Sequence, residues 1–168
     1  MFRISGISRK GKVQSVEKWS MTIHRLFSKD PNDEEENVTQ NIYVFRFILF
    51  CIIVYSFEML LNSVDIFIVD KTIFTRGYVT GCLFAAVYVL ILLHLGLEHP
   101  LTKYVSITAV SLIIMAASVS LTYHMIIIIM MPIIIAGMYT SKQLSIYTFV
   151  LTAVSYTHLR AHETRHDL

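Results

Sequence analysis

Glu58 is the one acidic side chain well inside an apolar run, and the chemistry open to this chain starts from it. An ionisable group at membrane depth costs ~2.5–3.5 kcal/mol or more unless it is paired or wet. Cys51, Tyr55, Glu58, Asn62 and Asp65 recur at spacings of four, three, four and three, which puts them on one helix face. Two readings stand open. The face lines a ligand, proton or cation site opening outward, with Tyr55, Glu58 and Asn62 as its binding groups. Or the same groups lock neighbouring helices together by hydrogen bonds.

The other chemistry-bearing residues are sparser. His94 and Glu98 are one turn apart and His99 follows, so an ion pair or a metal pair is geometrically possible. Two or three ligands without a fourth make a weak site, and capping at the membrane surface is the simpler reading. Cys51 and Cys82 both fall in apolar runs, outside any metal or redox spacing. The sequence carries no nucleotide loop, nucleophile elbow, paired carboxylates or zinc signature. It therefore predicts no catalytic residue, no cofactor and no metal in this chain.

The elements that must position these residues follow from composition. The chain is 55% hydrophobic and 15% charged, where a soluble domain has about 25% charged residues. Between Phe47 and Val154 the only charges are Glu58, Asp65, Asp70, Lys71, Arg76, Glu98, Lys103 and Lys142. That pattern predicts an all-α, polytopic transmembrane helical bundle with four complete spans and a truncated fifth. Residues 1–40 form a charged leader, and residues 41–153 the multi-span region. The spans cover about 42–64, 77–97, 101–121, 124–139 and 144–153. Asp65 to Arg76 reads as a loop with a turn at Asp70-Lys71, Glu98-His99-Pro100 as a helix stop, and Thr122-Tyr123-His124 as a tight turn.

Within the spans, Gly77, Gly81 and Ala85 make a small-residue seam for close helix packing. Pro132 removes one backbone donor and is expected to kink the fourth span near Ile128. In the leader, Trp19, Ile23, Leu26 and Phe27 give one apolar face to a short helix from Trp19 to Phe27, which would lie on the inner leaflet if it forms. Met21 offers a second possible start. The leader holds seven lysines and arginines up to Lys29, against two in the Asp65–Arg76 loop and none in the Thr122–His124 turn. This bias puts the N-terminus in the cytoplasm. The expected setting is the bacterial cytoplasmic membrane, with the bilayer as partner; a net charge of +2 makes no case for nucleic acid. Arg46 enters the first span one turn in and is expected to snorkel to the headgroups.

The chain closes on VSYTHLRAHETRHDL, where His158, His162 and His166 fall at helical spacing. A metal-binding tail is one reading of them. Val154 to Thr164, however, resembles residue for residue the translation of a common transposase sequencing adapter. Residues 154–168 are therefore expected to be a non-native tail, interrupting the protein near Thr152. Five spans from a cytoplasmic start would leave the chain outside, so a sixth is expected to follow.

The stretch MPIIIAGMYTSKQLSIY, with its step from Pro132 through Tyr139 and Ser141 to Lys142, carries a family resemblance. From about Asn41 to Ala153 the chain resembles the N-terminal multi-span sensor regions of bacterial diguanylate cyclases. The defining GGDEF segment is absent from this sequence. The resemblance implies a homodimeric parent protein that condenses two guanosine triphosphates into cyclic diguanylate in the cytoplasm, under control of a signal that the resemblance does not name. A sensor histidine kinase is the close alternative. A fragment of a small transporter or permease, with Glu58 in the path, is the alternative from another class; it should show internal repeats, and none is visible.

Overall fold

The computed structural model describes residues 7–27, 36–66, 69–120 and 129–166. These residues form six helices and no strand: α1 (Ile7–Leu26), α2 (Glu36–Ser63), α3 (Lys71–Leu95), α4 (Thr102–Ser120), α5 (Met131–Gly137) and α6 (Lys142–His166).

Two helices are long and apolar enough to cross a membrane, α2 with 28 residues and α3 with 25. At 1.5 Å per residue they reach about 42 and 37 Å, against a hydrocarbon core of about 30 Å. Much of their apolar surface points away from the protein: Phe50, Ile53, Phe57 and Leu60 on α2, and Val79, Leu83 and Leu90 on α3, are exposed. A core helix in water would bury such side chains, whereas a helix in lipid has no need to.

Of the four complete spans expected from composition, the described residues give two helices that are long and apolar enough. α4 is apolar but shorter. The fourth segment is a seven-residue helix, α5, within the described residues. The Thr122–His124 turn lies outside them. Pro132 stands in the first turn of α5, where its missing N–H falls among donors that have no intrahelical acceptor. The kink expected near Ile128 falls on residues outside those described.

Boundaries also moved. Asp70 is not a turn residue but the N-cap of α3, its carboxylate accepting from the N–H groups of Thr72 and Ile73, each at 2.9 Å. The helix therefore begins six residues before the expected Gly77. It ends at Leu95, ahead of Pro100, because Gly96 adopts φ 88° and ψ 167°, a region essentially reserved for glycine. The turn that follows is well satisfied. Gly96 donates to the Leu92 carbonyl, and Thr102 Oγ1 donates to the Gly96 carbonyl at 2.7 Å.

α4 is the centre of the bundle, touching α2, α3, α5 and α6. Its sequence explains why: Ser106, Ala109, Ser111, Ala116 and Ser118 are small and buried, so neighbours approach closely. Ile107, Val110, Ile113 and Ile114 pack with Ile42, Phe45 and Ile48 of α2, Tyr88 and Leu92 of α3, and Leu144 of α6. Hydroxyls in this setting bond back to their own helix: Ser118 to the Ile114 carbonyl, Thr148 to Leu144, Ser155 to Leu151. One hydroxyl pair joins α4 to α6 near their starts, Thr108 Oγ1 and Tyr147 OH at 2.8 Å, beside the edge-on rings of Tyr104 and Tyr147.

α6 runs without a break across residue 154. Leu144, Thr148 and Thr152 are buried, Ser155 is half-buried, and Tyr156 to His158 are exposed.

Candidate functional site

The predicted face of α2 divides at the end of the bundle where α2 stops and α3 starts. Tyr55 and Asn62 are buried, Glu58 and Cys51 half-buried, and Asp65 exposed. Asp65 leaves the helix with φ 59° and pairs with Lys71 at 2.7 Å. Tyr55 meets the rings of Phe74 and Tyr78 edge-on, with centroids 5.2 and 5.5 Å away. Ser56 Oγ and Tyr78 OH lie 2.9 Å apart. The seam faces the same cluster: Gly77 and Gly81 are buried, Ala85 is half-buried, and Gly81 abuts the Tyr55 ring. Tyr55 thus contributes to the packing of α2 on α3, Asn62 is buried beside it, and Glu58 is the half-buried carboxylate of this face.

Glu58 is half-buried and lies five residues before the end of α2, about 8 Å along the axis. A group so placed contributes little to stability. Glu58→Gln is expected to shift the unfolding free energy by no more than about 0.5 kcal/mol. A loss of several kcal/mol in detergent unfolding would assign it a buried structural partner instead.

The opposite end of the bundle holds a buried polar network that the sequence reading missed. Asn41, 2% exposed, donates from Nδ2 to the Leu97 carbonyl at 2.8 Å and accepts at Oδ1 from the Tyr139 hydroxyl at 2.8 Å. Tyr88 OH and Ser106 Oγ lie 3.2 Å apart, and Ser106 stands beside the Tyr139 hydroxyl as well. Gln40 Nε2 donates to the Met138 carbonyl at 2.6 Å and to Glu36 Oε1 at 3.2 Å. Six side chains and two backbone carbonyls therefore tie the start of α2, α3, the α3–α4 turn, α4 and the α5–α6 link to one another. The link needs that support: Thr140 sits at φ 48°, and the last N–H groups of α5 make tight i−3 bonds.

The His94, Glu98, His99 cluster is spent on helix ends. Glu98 pairs with Arg25 at 2.8 Å, and His99 Nδ1 accepts from the Leu101 N–H at 3.2 Å. Arg46, expected to snorkel, donates from Nε to the Leu26 carbonyl of α1 at 3.2 Å. Between α4, α5 and α6, the buried hydroxyls of Ser111 and Thr152 have no partner and line a cavity of about 10 Å³ beside Pro132. That is room for about one water molecule. Among the described residues no group of three potential metal ligands occurs.

One signal for this network was in the sequence: Tyr139 belongs to the Pro132–Lys142 step. Its partner could not be read, because Asn41 is 98 residues away. Comparison of the chain with protein-family models, curated proteins and solved structures gives no match.

Proposed function

We propose that this chain is the membrane-embedded sensor and anchor region of a bacterial signal-transduction protein, with a cytoplasmic diguanylate cyclase as the output domain beyond residue 152. The N-terminus is cytoplasmic in this reading, and the parent protein acts as a homodimer. The observation that supports it is the bond between Tyr139 and Asn41. The tyrosine of the Pro132–Lys142 step, which carries the family resemblance, is the residue that fastens the α5–α6 link to α2. A signal that repacks the bundle along the Gly77–Ala85 seam is relayed through that link into α6 and onward, setting how two output domains meet.

The intact gene provides the test. Reamplified from genomic DNA, the locus is expected to read apolar codons after Ala153, then a further span and a soluble domain with a GGDEF segment. Cells expressing that full-length protein should accumulate cyclic diguanylate. A kinase domain in the same place would favour the histidine kinase reading. Further inverted-repeat spans with no soluble domain would favour a transporter, with the ionisable Glu58 in its path. Recovering SYTHLRAHET from an adapter-free clone would remove the adapter reading of residues 154–168.

A further inference from the structure

α1 carries Val16, Trp19 and Ile23, and Phe27 follows its last residue; the spacings are three, four and four, and all four are exposed. At helical spacing they fall within an arc of about 80°. This differs from the face expected from sequence, because Leu26 turns away from it and is buried. The adjoining arc faces the bundle with Lys18, Thr22, Arg25 and Leu26. Lys18 Nζ donates to the carbonyls of His94 and Leu95, the last two residues of α3, at 3.1 and 3.4 Å. Arg25 pairs with Glu98 in the α3–α4 turn. From α2, Arg46 caps the C-terminal carbonyl of α1 at Leu26.

These contacts fix α1 at the level where α3 ends. A helix of 25 residues, about 37 Å long, outreaches a 30 Å hydrocarbon core and ends among the headgroups. α1 is therefore held at headgroup depth with an apolar stripe that is exposed at Val16, Trp19 and Ile23, while the Phe27 ring meets Phe45 of α2 edge-on at one end. Its sequence adds Arg9, Lys10, Lys12, Lys18 and Arg25 against a single acid, Glu17. An apolar stripe on a strongly cationic helix at that depth matches an anionic lipid leaflet.

We propose that α1 docks on anionic lipid headgroups, and that the Lys18, Arg25 and Arg46 contacts couple this docking to α2 and the α3–α4 turn. The proposal rests on the membrane-spanning reading of α2 and α3, not on the identity of the output domain.

Trp19 is the only tryptophan of the chain and reports directly on α1. The full chain is reconstituted into vesicles of phosphatidylcholine, with or without phosphatidylglycerol, and quenched by shallow brominated lipid or by acrylamide. In anionic vesicles, brominated lipid is expected to quench Trp19 several-fold more than acrylamide does. Lys10→Gln with Lys12→Gln should shrink the difference between anionic and neutral vesicles, and Ile23→Asp should abolish the brominated-lipid quenching. Three results would overturn the proposal. Full acrylamide quenching in both vesicle types leaves α1 in water. Protection from both quenchers, with a cysteine at position 23 cross-linking two copies, assigns the stripe to a second chain. Release of the chain by an alkaline wash removes the spanning reading on which the docking depends, and is thereby distinguishable from the other two.

Discussion

Asn41→Leu lowers the unfolding free energy of the bundle by about 2–4 kcal/mol in the expected outcome of a denaturation experiment in detergent. Leucine has the same branched four-atom side chain and is somewhat larger, so no cavity term enters. What changes is the fate of two buried groups. The Leu97 carbonyl loses its donor and the Tyr139 hydroxyl loses its acceptor. Interhelical hydrogen bonds in membranes average only about 0.6 kcal/mol by double-mutant cycles. Simple loss of two such bonds would cost about 1 kcal/mol. The larger figure follows because both partners stay buried, and each orphaned group costs about 1–3 kcal/mol. Tyr139→Phe removes the other end of one bond and should cost about 1 kcal/mol. The double variant should then cost less than the sum of the two by about 0.5 kcal/mol or more. Strict additivity would show that Asn41 and Tyr139 do not act as a unit.

Gly81 should respond in opposite directions to small and large substitutions. A Cβ at that position meets Tyr55 Cε1 at 3.7 Å and Cδ1 at 4.0 Å, ordinary contact distances. Gly81→Ala is expected to be neutral or to stabilise by up to about 1 kcal/mol, since alanine favours the helix. Gly81→Leu pushes further atoms into the Tyr55 ring. That ring cannot retreat freely, because Phe74 and Tyr78 hold it edge-on. A loss of about 1–3 kcal/mol follows from overpacking. Equal effects of alanine and leucine would mean that the ring is not confined.

Local features of this fold were more legible in the sequence than distant ones. The long apolar runs announced helices, and three- and four-residue spacing put Tyr55, Glu58 and Asn62 on one face and Gly77, Gly81 and Ala85 on another. Asp70 was misread because an aspartate before a lysine signals a turn as readily as a cap. The stop at Gly96 was hidden behind the louder Pro100. The face of α1 was misassigned because hydrophobicity alone groups Leu26 with Trp19 and Ile23, whereas Lys18 and Arg25 choose which side meets the bundle. Asn41 looked like the polar edge of a span. Only the fold brings Tyr139 and the Leu97 carbonyl to it.

The hydroxyls along α4 and α6 have a mechanical consequence. Thr108 and Tyr147 fasten the two helices at their foot. Above that point, Ser118, Thr148 and Ser155 are bonded within their own helices, and Ser111 and Thr152 hold no partner. The pair is therefore built like a door pinned at one corner. α6 can swing or twist against α4 about the Thr108–Tyr147 pin while Thr148 and Ser155 keep their own carbonyls, so these hydroxyls add no resistance to such a movement.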